Sequence, residues 1–144
     1  MKQSAINTQI TNYLKQYDDI EFALIFGSFA SGKVGSKSDL DLGIFSKESL
    51  DLLLLGKMIV DLEKITEFKI DLLELKDIYK KNPLLAYQIV TNCKLLFSKD
   101  ENIFSEFKRK SFLSYFDTEK LRKSVNSAFY KRISSKKFGK RNYA

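Results

Sequence analysis

The chain contains no histidine. That absence removes Ser-His-Asp triads, Cys-His pairs and imidazole acid–base chemistry together. Any catalysis here must run on carboxylates, lysines, tyrosines and metal. A single cysteine, Cys93, excludes an internal disulfide and argues against a structural zinc site. It reads as a small buried hydrophobe ahead of a strand. Apolar runs such as Leu52–Leu55 are far shorter than the roughly 20 residues of a membrane span. The opening residues 1–8 lack the apolar stretch of a secretion signal, so a cytoplasmic protein is expected. No linker, internal repeat or low-complexity segment divides the 144 residues, which are enough for one domain with its own core.

What the chain does have is a pattern between residues 21 and 45. An apolar strand, Glu21–Phe26, runs into Gly27-Ser28; ten residues later a second strand opens with Asp39-Leu40-Asp41. Side chains i and i+2 share one face of a strand. Asp39 and Asp41 therefore point one way, and Leu40, Leu42 and Ile44 point the other way, into a core. Two adjacent carboxylates repel unless a cation stands between them, and hard oxygen ligands of this kind suit Mg²⁺, which takes one or two carboxylates plus phosphate oxygens. A Gly-Ser turn, with no large side chain, lets backbone N–H groups come close to phosphates. Together these features predict a metal and nucleoside-triphosphate site.

A rival motif overlaps this one. Gly27–Lys33 fits G-x-x-x-x-G-K, but the next residue, which should be a Mg²⁺-binding Ser or Thr, is Val34. The following Gly35–Ser38 is loop chemistry where a P-loop would open a long helix. The P-loop reading fails on both counts.

Gly-Ser, about ten residues, then Asp-x-Asp resembles the signature of the nucleotidyltransferase superfamily, the DNA polymerase beta-like enzymes. Four fixed residues at this spacing arise by chance in about one chain per thousand of this length. The short chain is similar to the minimal nucleotidyltransferases (MNT), which serve as antitoxins of HEPN ribonuclease toxins. The resemblance implies a third acid on the strand after the crossover helix. Asp71, in Glu67–Leu75, fills that place, since a lone Asp in an apolar strand is unfavourable to bury unless paired or metal-bound. Glu74 is the fallback, on the opposite face, if the register slips by one residue. The expected site is thus Asp39, Asp41 and Asp71 as catalytic and metal-binding residues, with Gly27, Ser28 and Ser38 holding the nucleotide. Two Mg²⁺ ions and ATP are implied, with Lys33 or Lys37 as candidate triphosphate contacts. The implied reaction moves AMP to a hydroxyl, the implied acceptor being a tyrosine of a HEPN-type toxin. Two other readings stay open: a non-catalytic antitoxin acting by steric complex, and a nucleotidyltransferase acting on nucleic acid or a small molecule.

Charge is unevenly placed. Residues 108–144 carry a net charge of +10, and residues 1–107 a net charge of −3. A basic C-terminal part suits an acidic partner, protein or nucleic acid. Phe112, Tyr115, Phe116, Phe129 and Tyr130 are candidate base-stacking aromatics, but their helical spacing favours a packed helix face. The pattern predicts helix over 4–17, strand over 21–26, a short helical segment after Gly27-Ser28 and strand over 39–45. Helix follows over 49–65 with Ser49 as N-cap, then strand over 67–75. Helix over 83–91 has Pro83 in its first turn; strand over 94–97 leads to a helix or helix pair from about residue 100. This is an α+β protein: a small mixed sheet packed with helices, the nucleotidyltransferase fold, plus a C-terminal helical extension. Residues 1–100 form the expected core, 101–133 the extension of the same domain, and 134–144 a basic, flexible tail.

Overall fold

Alternating apolar residues build a four-stranded sheet in the order β3-β2-β1-β4. In the computed structural model, residues 2–32 and 39–135 are described, Lys2 and 121–135 by backbone alone. The elements are α1 (Lys2–Lys15), β1 (Ile20–Phe26), α2 (Ser28–Ser31), β2 (Leu40–Ser46), α3 (Leu52–Thr66) and β3 (Ile70–Glu74). They continue with α4 (Ile78–Lys81), α5 (Pro83–Thr91), β4 (Lys94–Ser98) and α6 (Glu101–Ser135). β1 runs antiparallel to β2 and β4, whereas β2 and β3 are parallel, joined by α3 as the crossover. The sheet is mixed, as the α+β reading requires.

Helices cover both faces. Ile20, Ala23 and Ile25 of β1, Leu40, Leu42 and Ile44 of β2, and Ile70 of β3 pack against Ile10 and Leu14 of α1 and Met58 and Leu62 of α3. Phe22 and Leu24 turn to the second face, against Ile78, Ala86, Ile89, Val90 and Phe107 from α4, α5 and α6. A strand between two layers of helix is apolar on both faces, which is why β1 reads as a continuous apolar run from Phe22 to Phe26. Phe107 lies 5.5 Å from the Phe22 ring and 5.9 Å from Phe45, fixing the start of α6 on the sheet. Tyr13 of α1 donates to Asp61 of α3 at 2.6 Å, and Lys57 reaches the same carboxylate at 2.7 Å. Burial and the bond to Asp61 push the Tyr13 hydroxyl well above the ordinary tyrosine range.

Several boundaries differ from the sequence pattern for local reasons. α3 begins at Leu52, with Asp51 in the N-cap position and no side-chain cap bond, so Ser49 is not its cap. The chain before it is held instead by Glu74 Oε2, which accepts from the Leu50 N–H at 2.9 Å. Residues 67–69 are a connection, not strand. Glu67 closes α3 in the left-handed region at φ 64°, and Glu63 Oε2 accepts from the Ile70 N–H. The one-turn helix α4 was not visible in the pattern, because four residues carry no period. Pro83 does open α5, with Asn82 accepting from the Leu85 N–H at 3.2 Å. The C-terminal region is one helix rather than two, 35 residues long. Residues 136–144 of the expected tail lie outside the described residues. Among the described residues no helix is long and apolar enough to cross a membrane.

Candidate active site

The carboxylates gather at the end of the sheet where β1 turns. Asp41 on β2 stands opposite Phe26 of β1 on one side and Asp71 of β3 on the other. Phe26 is the last residue of β1, so Gly27 follows directly beside Asp41. Gly27 has φ 75° and ψ −150°, a conformation open to glycine and strained for any other residue. A methyl group there would fall on Asp41 Oδ2 and lie 3.1 Å from its Cγ. Glycine is thus required twice, for its backbone angles and for the space its missing side chain leaves to a carboxylate. Ser28 then starts α2, a single turn in which the Ala30 and Ser31 N–H groups close back on the Gly27 carbonyl. Phe29 of that turn is buried against Phe68, which anchors the Gly-Ser segment to the first core.

Alternation puts Leu40, Leu42 and Ile44 fully in the core and leaves Asp41 half-buried on the other face. Asp39, just ahead of β2, and Asp71 are exposed. Burial, then the charges of Asp71 and Asp39, and a hydrogen bond to Asp71 all hold the Asp41 carboxyl above its ordinary range. No influence pulls it down. Among the described residues no group of three or more carboxylates or thiols is arranged to hold a metal ion as it stands: Asp41 and Asp71 bond each other, while Asp39 contributes its charge. The donor chemistry nonetheless fits a hard divalent cation, since like-charged oxygens held together lose their repulsion when a cation takes the place of the shared proton.

The alternative acid is accounted for. Glu74 pairs with Ile44, three residues further along β3 than Asp71, and its carboxylate is engaged by Leu50. Ser38, Lys33 and Lys37 lie outside the described residues. A cavity of about 540 Å³ lies at the other end of the sheet, between Glu21, Phe45, Tyr79 and Phe107; none of the three aspartates lines it. Phe112, Tyr115 and Phe116 cluster around Tyr87 of α5, with Tyr115 stacked on it at 3.9 Å. Helix packing thus accounts for these three; the side chains of Phe129 and Tyr130 lie outside the description.

Residues 8–102 match the family described as "Polymerase beta, Nucleotidyltransferase". The chain belongs to that family. The match spans every strand and both faces of the core, including Gly27-Ser28, Asp39, Asp41 and Asp71. No curated protein matches the chain in sequence. Solved structures share its fold. One is a toxin–antitoxin with AMP-PNP, 20% identical, covering 86% of this chain and 98% of its own, with a TM-score of 0.72. A second is a Shewanella oneidensis complex of a tri-AMPylated HEPN toxin with an MNT antitoxin, 19% identical, covering 89% and 98%, with a TM-score of 0.69. A third is the toxin–antitoxin MntA-HepT, 18% identical, covering 88% and 98%, with a TM-score of 0.68. The family's chemistry is nucleotidyl transfer, and the fold is that of nucleotidyltransferase antitoxins.

Proposed function

We propose that this protein transfers AMP from ATP to a tyrosine hydroxyl of a HEPN-type ribonuclease and so acts as its antitoxin. The observation that carries the reading is the placement of Asp41 and Asp71 side by side in parallel register, against a Gly27 that has no room for a side chain. Two neighbours of the same fold support the acceptor class, one solved with an ATP analogue and the other holding an AMPylated HEPN toxin.

Asp39, Asp41 and Asp71 would hold Mg²⁺, two ions on this reading, which when bound neutralises the triphosphate and makes the acceptor hydroxyl more acidic. The chain's own residues do the rest. Gly27-Ser28 leaves the phosphates free to approach the backbone at the sheet end. Asp71, exposed on the outer strand, accepts the hydroxyl proton. The acceptor oxygen bonds to the α-phosphorus as the α-phosphorus–oxygen bond to the outer phosphates breaks, and pyrophosphate leaves. A bulky anionic nucleotide on the ribonuclease would then obstruct entry of an RNA backbone by size and charge.

The test is to incubate the purified protein with ATP, Mg²⁺ and the product of the adjacent gene. Mass spectrometry should find one or more adenylates on a partner tyrosine, absent with Asp41→Asn or Asp71→Asn. Neutralisation of the partner to the same extent without ATP would replace this reading with a steric complex.

A further inference from the structure

Parallel register places a cation at the fourth corner of the carboxylate cluster. Leu40 pairs with Ile70 and Asp41 with Asp71, and the Leu40 N–H donates to the Lys69 carbonyl at 2.8 Å. The rung before Leu40–Ile70 therefore brings Asp39 beside Lys69. Side chains alternate, so Lys69 shares the face of Asp71, as Asp39 shares that of Asp41. Neighbouring strands lie about 4.8 Å apart. The face thus carries Asp41 on β2 and Asp71 on β3, with Asp39 and Lys69 each one residue ahead of those strands.

Several cations of the fold are held by partners. Lys47 takes the Glu21 carboxylate at 3.3 Å, Lys57 takes Asp61, and Arg109 takes Glu106. Lys99 donates to the carbonyls of Tyr17 and Asp18. Lys69 has a carboxylate on the next rung, yet among the described residues it forms neither ion pair nor side-chain hydrogen bond, and it is exposed.

We infer that Lys69 binds the β- and γ-phosphates of the nucleotide, steadying the pyrophosphate as it leaves. This rests on the nucleotidyl-transfer reading and deepens it. Three carboxylates make this sheet end repulsive to a polyphosphate wherever metal charge does not reach. An ammonium on a flexible four-carbon stem, on the same face and unpaired among the described residues, supplies the missing positive charge at little cost in rearrangement. The outer phosphates carry most of the nucleotide's charge, so Lys69 discriminates nucleotides by phosphate number rather than by base.

Isothermal titration of the full-length protein in Mg²⁺ with ATP and with AMP separates this from a role in balancing Asp39. Lys69→Met should weaken ATP binding about tenfold and leave AMP binding within about twofold. Lys69→Arg, which keeps the charge, should recover most of the ATP affinity. Wild-type ATP affinity in Lys69→Met, or equal weakening of ATP and AMP, overturns the assignment. If the wild-type protein binds neither nucleotide, the nucleotidyl-transfer reading itself falls. If it binds ATP and transfers AMP while Lys69→Met does both equally well, only the inference about Lys69 falls.

Discussion

Replacing Gly27 with alanine should destabilise the protein by an amount that can be assembled from its local geometry. At φ 75° and ψ −150° the backbone sits where residues with a side chain are strained, worth about 1–3 kcal/mol. The added methyl also falls on Asp41 Oδ2. Asp41 must leave its rotamer, at a cost of about 0.5–1.5 kcal/mol, with Asp71 already crowding the other side. The two effects together give about 1.5–4.5 kcal/mol. A domain of this size loses roughly 3–4 °C of Tm per kcal/mol, so thermal melting by circular dichroism should fall by roughly 5–18 °C. An Asp41→Ala background removes the clash with the carboxylate and keeps the backbone strain. There Gly27→Ala should cost only about 1–3 kcal/mol. If Gly27→Ala lies within about 0.5 kcal/mol of its parent in both backgrounds, the size of an ordinary surface change, the reasoning is refuted.

Asp41→Asn should raise the stability of the metal-free protein at neutral pH. The folded-state pKa of Asp41 is raised above the ordinary 3.8, so its contribution is fully present at pH below that value. It is lost as pH rises through the raised folded-state pKa. Melting temperatures in chelator from about pH 4 to 7 should therefore fall more in the wild type than in the Asn variant; parallel curves would contradict the like-charge account. Glu74→Ala should cost about 1–2 kcal/mol by stranding the Leu50 N–H. ATP affinity, measured by titration, should stay unchanged, and a loss of affinity would return Glu74 to the list of site candidates.

Much of the site is legible in the sequence because a strand alternates strictly. Once Leu40, Leu42 and Ile44 are assigned to a core, Asp41 has only one other face to occupy. Asp71 required one more step, the parallel register, which alternation within β3 cannot supply and which the crossover helix sets. Glu74 shows the limit of that logic. Its fixed point is a backbone N–H 24 residues away, a tertiary bond with no local signal. Ser49 failed as a cap for a related reason: the residue next to it was already tethered to Glu74, so α3 started later, at Leu52. Gly27 was readable as a glycine needed near phosphates, but its contact with Asp41 depends on β1 and β2 being neighbours in the sheet. Lys69 lies one residue ahead of β3. Its position beside Asp39 emerges only when the strands are laid together.

The unfavourable local features of this fold fall in one place. Gly27 holds a rare backbone conformation directly beside Asp41, and Asp41 is held directly beside Asp71. Neither feature helps the chain fold, since the first restricts the turn to glycine and the second places like charges on adjacent strands. Stability must come from elsewhere, and β1 is where it comes from: Ile20, Phe22, Ala23, Leu24 and Ile25 are wholly buried between two helical layers. That strand runs straight into the Gly27 turn. Its register with β2 is continuous from Phe22–Phe45 to Phe26–Asp41, so this buried strand leads directly to the strained end. A cluster of carboxylates on a mobile loop would relax apart under its own repulsion. Held on two adjacent strands of the sheet, Asp41 and Asp71 stay side by side. Strain gathered at one end of an otherwise consistent fold is what a site maintained for chemistry produces.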